Sequence, residues 1–329
     1  MPRILFIKTS SLGDVVHNCP AVSDVARRVP GAAIDWVVED AFAEVAALHG
    51  AVRRVIPVSI RRWRSGLLSR ATWSGISAFR EALRAEPYDA VIDSQGLVKS
   101  ALVAAMARGR RHGFDRASAR EPFAARFYDR VHAVPAGRHA VDRNRQLAAA
   151  ALGYALPEDC DYGLRAEGEP PRLERAAASS PYVLLLTMTS RDDKLWPEER
   201  WRALGAWLER RGLQCLLPWA SEEERRRCAR VATAIPGALV PPRLPLSQVA
   251  RLARDARCVI GVDTGLTHLA AALGAPTVGL YCGSDPALTG LYGGGLYGNG
   301  RLRNLGGAGR PPALEEAQAA LGSLGAAAP

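Results

Sequence analysis

The sequence contains no apolar run of the roughly 20 residues that a membrane-spanning helix needs. Its first residues form a strand-length apolar stretch flanked by charges, which is too short for the apolar region of a signal peptide. No cleavage-like site follows this stretch. These absences predict a cytoplasmic protein.

Cysteine pairs at metal-binding or redox spacing are also missing. The six cysteines lie far apart without any C-x-x-C pair, and several fall within apolar segments. Cysteines in such segments usually behave as small core residues. We therefore expect neither disulfides nor a metal cluster.

Two nucleotide-binding fingerprints are absent as well. The sequence has neither G-x-G-x-x-G nor G-x-x-x-x-G-K-[ST], so neither NAD nor P-loop chemistry is favoured. The formal net charge of +10 suggests an acidic partner, which could be nucleic acid, an anionic membrane surface or a phosphorylated substrate. RNP, helix-turn-helix and finger patterns are missing, which disfavours a non-catalytic nucleotide- or RNA-binding protein.

What the sequence does contain is two series of alternating strand and helix patterns, typical of parallel α/β sheets. We predict two facing Rossmann-like domains in residues 1–160 and 181–311, joined by a proline-containing and charged linker in residues 161–180. Residues 312–329 contain one more helix, which is a candidate to pack back on the N-terminal domain. The predicted strands are residues 3–7, 33–38, 54–58, 90–93, 182–186, 214–217, 238–240, 258–262 and 277–281, and the glycine-rich residues 290–309 are expected to form a surface loop.

The most informative segment is the strand at residues 258–262 and the turn into the helix that follows. The unpaired backbone N–H groups and the positive end of a helix dipole make such a turn an anion site. Gly265 allows close backbone approach, and three neighbouring side chains, Asp263, Thr264 and His268, could fix a sugar or a diphosphate. The alternative is that Asp263 or Thr264 only caps the helix and His268 packs in the core.

Polar side chains follow other predicted strands. Asp14, in the turn after the first strand, is a candidate general base or merely a helix cap. Lys194, in a hydroxyl-rich turn, suits diphosphate oxygens, unless Asp192 and Asp193 pair with it. Glu222 could accept hydrogen bonds from ribose, although acidic residues are also common at helix starts.

A basic segment stands in the first half. Arg61, Arg62 and Arg64 surround Trp63 in a predicted loop, and Arg120 is a further candidate. Arginine's forked donors suit the phosphates or carboxylates of a bulky anion. An ordinary basic loop is the alternative.

Together these segments resemble the ADP-heptose:lipopolysaccharide heptosyltransferase family over nearly the whole chain. The resemblance lies in five segments in order, residues 8–14 (KTSSLGD), 56–64 (IPVSIRRWR), 93–100 (DSQGLVKS), 191–199 (RDDKLWPEE) and 262–268 (VDTGLTH). It implies a GT-B fold, with the acceptor bound by the N-terminal domain and the nucleotide sugar by the C-terminal one. It also implies transfer of L-glycero-D-manno-heptose from ADP-heptose to the first Kdo of Kdo2-lipid A.

The resemblance assigns roles by position. Asp14 and Lys194 would be catalytic. The donor would be held by Thr189, Ser190, Lys194, Glu222, Leu244, Asp263, Thr264, Gly265 and His268, with the choice among Glu222, Glu223 and Glu224 for the ribose left open. The acceptor would be held by Ser11, Arg61, Arg62, Arg64, Gln95, Lys99 and Arg120.

The implied mechanism is a single inverting displacement with one base and neither metal nor cofactor, since ADP-heptose is a substrate. The implied location is peripheral, on the cytoplasmic face of the inner membrane, with no nucleic-acid partner. A related enzyme that adds heptose to heptose is the nearest alternative. The segments at 61–64 and 93–96 argue against it.

Overall fold

The computed structural model describes residues 1–66, 68–173, 181–293 and 300–326. The chain divides into two compact units, Met1–Leu164 and Arg165–Pro329. The first unit thus ends four residues beyond the predicted domain of residues 1–160. Residues 174–180 of the predicted linker lie outside the described part of the chain.

The first unit contains a six-stranded parallel sheet in the order β3-β2-β1-β4-β5-β6. Its strands are β1 (Arg3–Ile7), β2 (Ala33–Glu39), β3 (Val52–Val58), β4 (Tyr88–Asp93), β5 (Gly109–Phe114) and β6 (Arg130–His132). The four predicted strands are present. The sequence did not indicate β5 and β6 because both carry charged residues, which a strand at or near a sheet edge tolerates.

Helices follow the strands of this sheet. They are α1 (Leu12–Arg28), α2 (Ala43–Ala47), α3 (Ile60–Ser65), α4 (Arg70–Arg84), α5 (Val98–Met106) and α6 (Ala140–Leu152), with 3₁₀ turns at Asp40–Phe42 and Pro122–Phe127. One apolar core joins Leu5 and Ile7 of β1 to Phe79 and Leu83 of α4. The fully buried α1 residues Val15, Val16 and Val22 show why this helix is fixed against the sheet.

The second unit contains a five-stranded parallel sheet in the order β11-β10-β9-β7-β8. Its strands are β7 (Tyr182–Leu186), β8 (Gln214–Leu216), β9 (Cys258–Val262), β10 (Thr277–Tyr281) and β11 (Leu302–Gly306). The predicted strand at residues 238–240 is reduced to a single bridge between Leu216 and Leu239. Part of the expected glycine-rich loop is instead the edge strand β11, because Leu302 and Leu305 pair with β10.

The helices of this unit are α7 (Glu198–Glu209), α8 (Glu222–Ala232), α9 (Leu246–Asp255), α10 (Gly265–Ala272), α11 (Pro286–Thr289) and α12 (Leu314–Leu321). Its larger core contains Trp196 and Trp201, whose rings meet edge to face at 5.0 Å. Such a ring pair adds about 0.5–1.5 kcal/mol beyond its buried area. The same core includes Cys215 and Cys228, and all six cysteines of the chain are buried thiols.

The C-terminal helix packs on the second unit. Ala317, Ala320 and Leu321 of α12 belong to the core that also contains Trp196. The carbonyl of Pro312 just before α12 accepts hydrogen bonds from Trp196 Nε1 at 2.8 Å and from an Arg200 guanidinium nitrogen at 2.7 Å. The apolar face of α12 is thus used within the second unit, and contact of the C-terminal segment with the first domain stays a prediction.

Across the described ranges, no helix is both long enough and apolar enough to cross a bilayer.

Candidate active site

The predicted site residues fall into two groups, one in each unit. In each unit they follow the carboxyl ends of parallel strands, where open α/β sheets usually bind ligands. The first group lies around the start of α1, after β1. The second lies around the start of α10, after β9.

Asp14 lies in the first turn of α1 and makes contacts in two directions. Its Oδ2 accepts a hydrogen bond of 3.0 Å from the backbone N–H of Ser11, the N-cap residue of α1. Its Oδ1 accepts one of 2.5 Å from the Arg120 guanidinium, which lies 106 residues away in the sequence. Asp14 thus helps to close the helix end and also stands in an ion pair, with 16% of its side chain exposed.

Lys8 is a residue of this group to which the sequence analysis gave no role. It is the first residue after β1 and is 3% exposed. Its Nζ donates to the carbonyl of Ser94 at 2.7 Å and to Asn144 Oδ1 at 3.3 Å, which are both neutral. The available signal was a lysine directly after the apolar run of residues 4–7. A buried ammonium is rare without a charged neighbour.

The charges of Lys8, Asp14 and Arg120 act on one another. Burial lowers the pKa of Lys8 to about 8, although the Asp14 carboxylate opposes this shift. Burial alone would raise the pKa of Asp14. The charges of Lys8 and Arg120, with the hydrogen bonds from Arg120 and Ser11, outweigh it and lower the pKa of Asp14 to about 2. Asp14 is therefore an ionised carboxylate at neutral pH.

Replacing Lys8 by methionine is expected to move the acidic limb of the kcat/KM pH profile to higher pH. The ammonium lowers the pKa of Asp14, so its loss raises that pKa. Lys8→Arg, which keeps the charge, is the control. An identical acidic limb in Lys8→Met and the wild type would show that the Lys8 charge does not act on Asp14.

The turn after β4 connects Arg120 to this group. Gly96 adopts φ of +69°, and an added Cβ would lie 3.4 Å from the backbone nitrogen of Arg120. Its carbonyl accepts a 3.0 Å hydrogen bond from the N–H of Glu121. A glycine thus allows the segment with Arg120 to approach α1 closely.

Gln95 and Lys99, two predicted acceptor residues, also contact the start of α1. The side-chain oxygen Oε1 of Gln95 accepts hydrogen bonds from the backbone N–H groups of Thr9 at 3.1 Å and Ser10 at 3.3 Å. Lys99 Nζ donates to Ser10 Oγ at 3.2 Å. These bonds fix the turn between β1 and α1, and Lys99 places a further cation beside it.

The three neighbouring arginines lie on α3, so the predicted loop is a short helix. Trp63 packs into the core against Phe79, with ring centroids 5.6 Å apart, and is a structural residue. The side chains of Arg61, Arg62 and Arg64 are exposed. They follow β3, two strand positions from β1 in the same sheet. The structure therefore places them at the same sheet edge as Asp14, without contact to it.

In the second unit, Asp263 is the centre of the predicted donor residues. Its Oδ2 accepts hydrogen bonds of 2.6 Å from both Lys194 Nζ and Ser284 Oγ, and its Oδ1 lies 3.2 Å from His268 Nε2. Its backbone carbonyl accepts from Thr189 Oγ1 at 2.9 Å. One carboxylate thus joins the turns after β7, β9 and β10 to the first helical turns of α10.

This network also sets the ionisation of Asp263. Burial raises its pKa, but His268, Lys194 and Ser284 outweigh burial and hold the pKa well below its usual range. The carboxylate is ionised and positions a lysine and a histidine, so it is more than a helix cap. Ser284 was not predicted from the sequence, although a hydroxyl directly after the small Cys282-Gly283 pair that follows β10 was a usable signal.

The start of α10 keeps the anion-binding features that the sequence predicted. Thr264 is the N-cap residue and makes no side-chain capping bond, and Gly265 is the first helical residue. The helix lies close to its strand, since a Cβ on Gly261 would come within 2.2 Å of Thr267 Oγ1. The first N–H groups of a helix have no partner within the helix and can bind an anion.

The remaining predicted donor residues are Ser190, Leu244 and Glu222. Ser190 is exposed in the turn after β7. Leu244, before α9, packs against the apolar cluster that includes Leu184 and Leu252. Glu222 begins α8 and is paired with Arg225 at 2.7 and 2.8 Å.

The structure also separates the three candidate glutamates. Glu222 and Glu223 line a cavity of 520 Å³ together with Met188 and Asp192. Glu224 instead accepts a hydrogen bond of 2.6 Å from the N–H of Ala220, just before α8, and is used in capping that helix. Glu222 and Glu223 therefore remain the candidates for a ribose contact.

No group of three or more histidine, cysteine or carboxylate side chains that could hold a metal ion occurs among the residues that the structure describes.

Comparisons with known proteins give consistent results. Residues 76–301 match the model of glycosyltransferase family 9 (heptosyltransferase). The chain is 47% identical over 293 residues to lipopolysaccharide heptosyltransferase 1 of Escherichia coli strain K12, covering 88% of this chain and 91% of that protein.

Two solved structures are similar over nearly the whole chain. E. coli heptosyltransferase WaaC with ADP has a TM-score of 0.88 and 41% identity, covering 98% of this chain and 99% of that one. WaaC with ADP-2-deoxy-2-fluoro heptose has a TM-score of 0.80 and 42% identity, covering 93% and 94%. The predicted GT-B fold, built from two Rossmann-like domains, is confirmed by this similarity.

Proposed function

Since the chain belongs to glycosyltransferase family 9, the heptosyltransferases, we propose that it transfers L-glycero-D-manno-heptose from ADP-heptose to the first Kdo of Kdo2-lipid A. The observation that carries this proposal is its 47% identity to E. coli lipopolysaccharide heptosyltransferase 1 over 88% of the chain. The reaction is a step in assembly of the lipopolysaccharide inner core.

The donor binds the second unit in this proposal. Support comes from the ADP and the ADP-2-deoxy-2-fluoro heptose named in the WaaC structures, and from the cation and helix start beside Asp263. Lys194 and the N–H groups at Thr264 and Gly265 meet the diphosphate. Further contacts come from Thr189, Ser190, Glu222, Leu244, Asp263 and His268.

The acceptor hydroxyl attacks the anomeric carbon of the heptose in one inverting displacement. Asp14 takes the proton of that hydroxyl as the new C–O bond forms. The bond from the anomeric carbon to the ADP oxygen breaks, and its electron pair leaves with ADP. Lys194 and the positive end of α10 stabilise the charge on the departing diphosphate, so the proposal includes neither metal nor cofactor.

Arg120 has a double role in this scheme. In the structure it occupies Oδ1 of Asp14, which holds the carboxylate ionised but also makes it a weak base. A Kdo carboxylate is a competing partner for the same guanidinium. When the acceptor draws Arg120 away, the pKa of Asp14 rises and the carboxylate becomes a better proton acceptor.

Arg61, Arg62 and Arg64 bind the negative charge of the acceptor, together with Ser11, Gln95 and Lys99. Changing the three arginines to glutamine is expected to raise the acceptor KM several-fold and to flatten its salt dependence, because exposed charges are screened within about 10 Å. ADP affinity, measured by calorimetry, should not change. An unchanged acceptor KM would make α3 an ordinary basic surface.

The experiment that tests the function compares two acceptors with ADP-heptose. Deacylated Kdo2-lipid A should be converted, and the same molecule already carrying one heptose should not. Preference for the heptose-bearing acceptor would identify the enzyme type that adds heptose to heptose. No transfer to either acceptor would contradict the proposal.

We also place the enzyme at the cytoplasmic face of the inner membrane, as a peripheral protein. Its proposed acceptor is a membrane lipid, and its net charge of +10 suits an anionic surface.

A further inference from the structure

One surface of the first unit combines exposed apolar side chains with arginines outside the site described above. It is an open groove of 740 Å³ within residues 115–131, here named the 115–131 groove. Phe123 on one wall is 53% exposed, and Val131 on the edge strand β6 is 49% exposed. Large apolar side chains exposed to this extent on one groove are typical of interaction surfaces.

The exposed Phe123 ring stands on a firmly held turn. Its neighbour Ala124 is fully buried in a small cluster with Ala101 of α5 and Tyr128. The Tyr128 hydroxyl donates to Asp93 at 2.7 Å. Because the turn is anchored on both α5 and β4, the phenyl ring is presented to solvent by a rigid support.

The charge of the groove is positive. Arg116 and Arg126 lie on its walls and are exposed, and Arg126 stacks 5.0 Å from the centroid of the Phe123 ring. In the described part of the chain, neither arginine has an ion-pair partner. The acidic residue of the groove, Asp115, accepts a hydrogen bond from the N–H of Ser118 at 2.8 Å.

We propose that the 115–131 groove is the surface by which this protein docks on an anionic lipid bilayer. Phe123 and Val131 enter the boundary between headgroups and acyl chains, while Arg116 and Arg126 bind lipid phosphates. This rests on the proposed function, which supplies a membrane lipid as the acceptor.

The chemistry of the groove fits a bilayer better than a protein partner. An aromatic ring flanked by arginines places apolar area in the boundary region and keeps each guanidinium among phosphates. Arg120, in the same segment, contacts Asp14. Docking here therefore brings the base close to the membrane surface, where the acceptor sugar is anchored.

Vesicle binding of the full chain tests the proposal, using neutral phosphatidylcholine vesicles and vesicles that also contain phosphatidylglycerol. Phe123→Ser should lower partitioning onto anionic vesicles about tenfold, the expected effect of withdrawing one buried aromatic side chain. The double variant Arg116→Gln with Arg126→Gln should lower partitioning onto anionic vesicles by about tenfold or more. Added salt should abolish the difference between this variant and the wild type.

The chain offers matched controls. Leu156→Ser removes an apolar side chain that is 38% exposed elsewhere on the first unit. Arg165→Gln with Arg301→Gln removes the same charge from exposed positions in the second unit. Both controls should partition as the wild type does. Equal losses in test and control variants would overturn the proposal, as would equal wild-type binding to neutral and anionic vesicles.

Turnover separates this proposal from the proposed function. Phe123→Ser should convert a soluble, deacylated acceptor at the wild-type rate and a vesicle-embedded acceptor several-fold more slowly. If no acceptor is converted but Phe123→Ser still loses vesicle binding, the docking surface stands and the proposed function fails. If sedimentation shows self-association that Phe123→Ser abolishes while vesicle binding is unchanged, the groove binds a second copy and the docking proposal is wrong.

Discussion

Replacing Asp14 by asparagine is expected to lower turnover about 10²–10⁴-fold, the usual effect of removing a general base. The amide has nearly the same shape and can still accept a hydrogen bond from the Ser11 N–H, so α1 should keep its first turn. It cannot take the proton of the attacking hydroxyl. Steady-state turnover with saturating ADP-heptose, alongside circular dichroism, measures both expectations.

Asp159→Asn is the matched control for this variant. Asp159 is also paired with an arginine, Arg27, but it is 42% exposed and stands outside the site. Its loss should leave turnover unchanged, because exposed pairs contribute about 1 kcal/mol or less to stability. Turnover of Asp14→Asn within a few-fold of the wild type would reduce Asp14 to a helix-closing residue.

Replacing Lys194 by methionine is expected to lower kcat about 10²–10³-fold, the range seen when one preorganised electrostatic contact to a transition state is removed. The ammonium is 19% exposed and is held 2.6 Å from Asp263, so it is fixed before any substrate binds. Its loss also leaves Asp263 with less compensating positive charge. Single-turnover kinetics and ADP calorimetry separate slower chemistry from weaker binding.

Arg191→Gln provides the comparison for Lys194. Arg191 lies three residues away and pairs with Asp193, but its side chain is 60% exposed. We expect this variant to change kcat by less than about threefold, since exposed pairs contribute little. Equal effects of the two substitutions would mean that the buried contact between Lys194 and Asp263 has no special part in the reaction.

The sequence by itself determined the class of fold and the position of the candidate site in each domain. Alternation of apolar strand runs and helices predicts parallel sheets, and eight of the nine predicted strands agree with the structure within two residues at each end. In parallel sheets the carboxyl ends of all strands meet at one edge. Polar residues that follow apolar runs, such as Asp14 and Asp263, could therefore be assigned to that edge from sequence alone.

The sequence was a poor guide where local composition and tertiary environment disagree. Charged β5 and glycine-containing β11 become strands because a neighbouring strand supplies their hydrogen bonds, an effect that no local pattern contains. The segment around Trp63 reads as a basic loop, yet it is helical because that ring finds an apolar site beside Phe79.

Only the tertiary structure decided which charges act on one another. Arg120 meets Asp14 across 106 residues, and Lys194 meets Asp263 across 69. Pairing at such separations depends on strand order and on close approaches such as that at Gly96, and neither is encoded by local spacing. The sequence thus determined which residues could do the chemistry. The fold decided their ionisation, because burial and neighbouring charge, rather than residue type, set each pKa.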